Sequence, residues 1–415
     1  MDASRKNSKK ATEGLILHTF RAFKYRDFRV LWCGAFTSTT GNFMQQVALS
    51  WLVLELTGKS FYLGLTSFLA QIPLVLFSLV GGALADRIDR RKLLIFSQFI
   101  QMTTAFCLAL LVLLGWIQVW HILALVFAAG LGQAFGGPAY HALIPTLVRR
   151  EDMPNAIALN SIQFNLARVA GPMLASIVIY TAGAVACFFL NGVSFLAVIF
   201  SLLLIRSAFR PQKTDASVVS QIGEGLRFVA ARRSLKQLMV LGFASTFCGV
   251  PILTLLPVFV KNIYGMDELV YAWMMSVAGG GAVVGALLYA GLSSLKNRGQ
   301  LTLWSQVALA VFMGAFSLTN NLVLGSALLF ATGTCLIILF ASITSLVQLA
   351  VTDEMRGRVV SIFFLSFRGG MPLGDLLAGT MADTLSPATA IGFMAILLAT
   401  VSMAFLTMGK TVQEL

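Results

Sequence analysis

The chain has 415 residues, 58% of them hydrophobic and only 11% charged. A soluble domain carries about 25% charged residues, so a soluble multi-domain protein is excluded. The net charge of +13 could suit nucleic acid, but the basic residues fall in short loops between apolar runs, which is a membrane topology and not a DNA-binding face. Cys33, Cys107, Cys187, Cys248 and Cys335 all lie inside apolar runs and read as small core residues, not as a disulfide or metal framework. No GxxxxGK[ST] phosphate loop is present. The expectation is an all-α membrane protein that is not an enzyme and uses no cofactor or metal.

Residues 1–28 are basic and lack the long apolar core of a cleavable signal. They read as a cytoplasmic segment in which Leu15, Ile16, Phe20, Phe23 and Phe28 form the apolar side of a short interfacial helix. Apolar runs of bilayer length then predict twelve spans, near 29–54, 61–85, 92–115, 119–147, 156–182, 185–205, 237–261, 269–293, 300–318, 322–350, 358–383 and 387–408. Of the Lys and Arg residues, only Lys59 and Lys261 fall in or at the edge of odd-numbered loops, and only Arg168 and Arg368 fall in the interior of spans. The positive-inside rule places both termini in the cytoplasm of an inner-membrane, multi-pass protein. The connection 206–236 carries an amphipathic pattern at Val218, Ile222, Leu226 and Val229. It separates a first bundle, 29–205, from a second, 237–408, with a tail at 409–415.

The halves repeat. A shift of 208 residues aligns Gly34 with Gly242, Leu84 with Leu292, Arg90 with Arg298, Ser97 with Ser305 and Gln98 with Gln306. A shift of 200 aligns Phe164 with Phe364, Arg168 with Arg368 and Pro172 with Pro372. Two six-helix halves of one orientation imply a pseudo-two-fold axis along the membrane normal and a site between them.

The segment after span 2, Gly82-Ala83-Leu84-Ala85-Asp86-Arg87-Ile88-Asp89-Arg90-Arg91-Lys92, resembles the GxLaDRxGRR signature of the major facilitator superfamily, with Asp89 where Gly is usual. The resemblance continues through Ala142-Leu143-Ile144-Pro145, Ala156 to Asn160 and Ala167 to Pro172. It resumes in Met355 to Ser361 and Met371 to Gly374. These segments look like the branch that contains the enterobactin exporter and the macrolide efflux proteins. The resemblance implies two pseudo-symmetric bundles, alternating access and coupling to protons. It also implies a conformational gate in which the Asp86 carboxylate faces the N-terminus of helix 11, with Gly82 allowing close approach and Arg87, Arg90 and Arg91 beside it. A topogenic charge cluster is the structural alternative. Ser294 stands at the Asp86 position of the second half. Gly171-Pro172 resembles the end of the exporters' antiporter motif, and a structural kink explains it as well.

Candidate cargo groups follow from polarity inside apolar spans. Asn42, Gln45, Gln46 and Ser50 form a polar row on span 1. Gln133 and Tyr140 on span 4, Thr254 on span 7, and Thr344 and Gln348 on span 10 join them, because the family lines its cavity with those spans. Arg168 and Arg368 each lie about 16–18 Å into a helix at 1.5 Å per residue. A charge at that depth costs at least about 2.5 kcal/mol. The pair reads either as cations favouring an anionic cargo or as structural arginines tied to backbone carbonyls. Asp375 and, at the outer end of span 1, Glu55 are the candidate proton carriers. Gly132-x3-Gly136 and Gly281-x3-Gly285 read as helix-packing faces. The partners expected are a small-molecule substrate, protons and the lipid bilayer, with no nucleic acid, for a chain acting as a monomer. Three functional readings remain at this point. They are an exporter of a drug or siderophore-like metabolite, an importer or lipid flippase of the same fold, and a non-transporting membrane scaffold or sensor.

Overall fold

The computed structural model describes residues 20–205, 218–292 and 297–408. Among them all regular structure is helical. The membrane helices of the first half are α1 (Arg26–Thr57), α2 (Ser60–Arg87), α3 (Arg90–Leu113), α4 (Val119–Leu143), α5 (Met153–Ala182) and α6 (Ala184–Leu204). Those of the second half are α7 (Arg233–Ile263), α8 (Glu268–Leu292), α9 (Arg298–Leu318), α10 (Leu322–Leu349), α11 (Asp353–Thr384) and α12 (Pro387–Met408). Among the described residues, eleven helices are long and apolar enough to cross a membrane. The twelfth, α1, has 32 residues, about 48 Å at 1.5 Å per residue. Its length is ample, and Asn42, Gln45 and Gln46 are what lower its apolarity.

The two halves repeat their packing. In the first, α1 lies against α5 and α6, α2 against α4, and α3 against α4 and α6. In the second, α7 lies against α11 and α12, α8 against α10, and α9 against α10 and α12. The halves meet where α2 packs on α11 and α5 packs on α8. Each of these pairs has its counterpart six helices on, which is the pseudo-two-fold expected from the sequence repeat.

One end of the bundle carries the α2–α3 connection and the linker; it is called here the basic face, and the opposite end the far face. On the basic face the chain is tied down in several places. The short turn Arg21–Lys24 sets Arg21 Nε and Lys24 Nζ 3.1 and 2.5 Å from the buried Asp152 carboxylate. Tyr25 donates its hydroxyl to Asp152 at 2.7 Å, and the Ala22 N–H donates to Asn155 at 2.8 Å. The hydrogen bond to Asp152 holds the Lys24 ammonium above its ordinary range. The apolar pattern at Phe20 and Phe23 thus belongs to a 3-10 turn clamped on the start of α5. Leu15 and Ile16 lie outside the described residues. The linker helix, Val218–Ala231, packs on α11 through Gly225 beside Ile362 and an ion pair between Glu224 and Arg358. The side chains of Val218 and Ile222 lie outside the described ones.

α7 alone is broken. Its first stretch ends at Gly249; short turns follow at Pro251–Thr254 and Leu256–Val258, then a π turn at Phe259–Ile263. Pro251 and Pro257 lack the N–H that would continue the ladder, and the π turn takes up the misfit.

Both Gly-x3-Gly segments are packing faces. A methyl at Gly281 or Gly285 would run into backbone atoms of Phe330 or Thr334 on α10, and one at Gly136 into Ser97 on α3. Gly281→Val is therefore expected to destabilise by about 1–3 kcal/mol through overpacking, read as a lower thermal midpoint in detergent. Gly291→Val, on the same helix with open space at its Cα, is the control and should leave the midpoint unchanged.

Candidate transport site

The polar row of α1 divides into two uses. Gln45 turns towards α6, where the Asn191 amide donates to Gln45 Oε1 at 2.8 Å and to Asn42 Oδ1 at 3.3 Å. Asn191 itself has no exposure and accepts from Ser194. Gly41 brings the helices together here, since a methyl on it would overlap Ser194 and Asn191. Gln46 is exposed, and no hydrogen bond occupies it among the described residues. Ser50 faces the Tyr271 hydroxyl of α8 in the other half. Only part of the row, Gln46 with the open side of Asn42, is left exposed without such contacts among the described residues.

The other candidates sort in the same way. Gln133 on α4 and Gln348 on α10 are exposed. Tyr140 donates its hydroxyl to Asn160 of α5 at 2.7 Å. Thr344 donates to the Phe340 carbonyl of its own helix at 2.7 Å. Thr254, at the break in α7, donates to Asp375 at 2.9 Å.

Arg168 and Arg368 stand midway along α5 and α11. Neither forms an ion pair or a backbone hydrogen bond among the described residues, so the structural alternative of carbonyl-tied arginines is not what is found. Arg168 lies over the Phe164 ring at 5.7 Å, and Phe164 packs edge-on against Phe43 of α1 at 5.5 Å. Arg368 is exposed. Two unpaired guanidiniums, one from each half, offer planar donor forks to carboxylate or carbonyl oxygens.

Asp375 is 1% exposed. Its carboxylate accepts from the Ser67 hydroxyl of α2 and the Thr254 hydroxyl of α7, and Gln71 donates on to Ser67 at 3.3 Å. The cluster spans the seam between halves and holds no cation among the described residues. Glu55 is exposed at the far face and accepts from the Trp51 indole at 2.9 Å. Trp51 stacks on Tyr271, and Lys261 lies 5.8 Å from its ring.

The gate motif is partly visible. The side chains of Asp86 and Arg87 lie outside the described ones, as does Ser294. A methyl on Gly82 meets open space in this conformation, whereas one on Gly81 would collide with the Ala134 carbonyl of α4. Gly81 is thus the glycine that seats α2 on α4 within the first half. Arg90 donates to the Ala142 carbonyl at 3.1 Å, and Arg91 to Leu203 and Ile205 carbonyls at 2.9 and 3.4 Å. These are end carbonyls of α4 and α6, which lack helical partners and attract cations. Asp89, the departure from the usual motif, accepts from the Arg91 N–H and caps α3. Gly171 packs on α1 against Phe43 and Thr40, with Pro172 buried beside it.

Residues 17–414 match the major facilitator family described as transmembrane secretion effector. The chain belongs to that family. It is similar to the multidrug efflux pump Tap of Mycolicibacterium fortuitum, 27% identical over 360 residues, covering 84% of this chain and 87% of Tap. It is also similar to macrolide efflux protein A of Streptococcus pyogenes, 23% identical over 366 residues, covering 86% and 89%. A bacterial homologue of the human lysosomal transporter Spinster, solved inward-facing and occupied, shares the fold with a TM-score of 0.74. That likeness covers 93% of this chain and 97% of the other at 13% identity.

Sequence reasoning missed Asn191 and Ser67 in this facilitator-family transporter. A lone Asn in the apolar run of α6 was the available signal for the first. Ser67 had none, because serine is common in membrane helices. The two uses of α1 separate experimentally. Asn191→Leu leaves Gln45 unpaired and is expected to destabilise by about 1–3 kcal/mol, seen as a lower thermal midpoint. Gln46→Ala should leave the midpoint unchanged and weaken cargo binding in equilibrium titration.

Proposed function

We propose that this transporter is a secondary-active exporter of an amphipathic, neutral or anionic small molecule, driven by protons moving inward. It works as a monomer in the inner membrane with both termini in the cytoplasm. The observation that carries the proton step is the burial of Asp375 at the seam, held by one hydroxyl from each half. A carboxylate anion is costly there without a cation. Opening the far face would release Ser67 and expose the acid to water, where it can exchange a proton. Glu55 is open to solvent already and lies outside the seam between the halves. The cargo is met by Gln46, Gln133 and Gln348 with Arg168 and Arg368, and the Phe43–Phe164 pair supplies apolar area. The names of the related efflux proteins support export. The Asp86 and Arg87 side chains are assigned to the basic-face gate by the motif resemblance.

The orientation rests on Lys and Arg placement. Reporter fusions after Lys59 and Lys261 are expected outside, and fusions after Lys92 and Lys410 inside. A reversed or mixed pattern overturns it.

Efflux into inverted vesicles tests the mechanism. Transport is expected to stop when a protonophore collapses the gradient. Asp375→Asn should abolish gradient-driven accumulation while cargo binding persists. Arg168→Ala should weaken anionic cargo by about ten-fold or more, the worth of one charge-assisted hydrogen bond, and neutral cargo much less. Protonophore-insensitive transport, or full coupling in Asp375→Asn, removes the proton scheme.

A further inference from the structure

The far-face ends of α2 and α11 are joined by a contact that the transport reading leaves unused. Asp383, in the last turn of α11, accepts the Ser60 N–H at 2.6 Å on one carboxylate oxygen and the Phe61 N–H at 3.0 Å on the other. Ser60 and Phe61 are the first two residues of α2. Their N–H groups are among the four that a helix cannot satisfy internally. The residue ahead of them, Lys59, provides no side-chain cap. The N-terminus of a helix in one half is therefore capped by a carboxylate from the other.

The position of Asp383 makes the contact informative. A carboxylate at the C-terminal end of its own helix faces the negative end of that dipole and is disfavoured there. At the N-terminus of α2 the same charge is favoured. The exposed Asp383 gains from the closed far face and loses when α2 withdraws. It also continues a stripe on α11. Asp375, Gly379 and Asp383 recur every four residues and share one side of the helix. Opposite them on α2 stand Ser67, Gly64 and Ser60. A methyl on Gly64 would overlap the Asp375 carbonyl, and one on Gly379 would lie 2.8 Å from the Ser60 carbonyl. The helices run antiparallel with their backbones in contact, and Asp383 closes the outer end of that seam.

We infer that Asp383 is a gating residue, a trans cap on α2 that holds the far face shut and must be released for the face to open. This rests on the alternating-access reading. The experiment reads shape without cargo or gradient, so a failed efflux assay and a failed latch remain distinguishable.

The test is a distance measurement by pulsed electron resonance. Spin labels are placed through Leu56→Cys and Leu385→Cys, both exposed at the far face in opposite halves, with the five native cysteines replaced. Asp383→Ala removes the cap. It is expected to raise the ratio of long to short distances about five-fold, the equivalent of one ordinary N-cap. Ser60→Pro removes one of the two donors at a helix position that accepts proline, after a residue already extended at φ −122° and ψ 131°. It should act in the same direction. Combined with Asp383→Ala it should add nothing, because both changes break one contact. Asp383→Asn keeps an acceptor without the charge and should fall between. A second pair, Leu56→Cys with Leu114→Cys, lies within the first half and should not change. Distances unaffected by Asp383→Ala overturn the latch. So do additive effects of the two substitutions, or an equal change in the second pair.

Discussion

In hydrocarbon a helix gains little by exchanging lipid tails for another helix's leucines, so association depends on close packing and on polar contacts. Twelve helices here meet that constraint largely by bringing backbones together at small residues. Gly81 and Gly130 seat α2 on α4; Gly281, Gly285 and Gly333 seat α8 on α10. Gly41 and Ser194 seat α1 on α6, and Gly171 seats α5 on α1. Within a half these contacts are many and repeat across the pseudo-two-fold. Each half can therefore keep its shape while the pair moves.

Between the halves the same device appears with polar groups added. Gly279 lies against the Arg168 carbonyl, and Gly64 against that of Asp375. Around them Ser67 bonds Asp375, and the Ser176 hydroxyl donates to the Leu269 carbonyl at 3.3 Å. These bonds lie in the far-face half of the seam. Hydrogen bonds of this kind can be exchanged for water when a seam opens, whereas buried leucines lose on exposure. A seam of small and polar residues is thus one that can part at modest cost.

The same economy of polar groups explains the division along α1. A row of amides in an apolar span must find partners or line a wet space. Asn191 takes up Gln45 and one side of Asn42, which leaves the remaining amide, Gln46, free of structural duty. Arg168 and Arg368, one in each half, have no such partner among the described residues.

Much of this protein was determined by the chain itself. The apolar runs set the number of helices, and the repeat in Arg168/Arg368 and Pro172/Pro372 announced two related halves. These follow from composition and spacing, which are local or periodic properties. Tertiary structure decided which side of a helix each polar group serves. Nothing in the order of residues said that Gln45 would be spent on Asn191, that Gly81 and not Gly82 would meet α4, or that Asp375 would gather Ser67 and Thr254. Nor did it say that Asp383 would cap Ser60 and Phe61, 323 and 322 positions away in the chain. Such pairings depend on the rotation and register of helices distant in sequence, and those are fixed only when the helices pack.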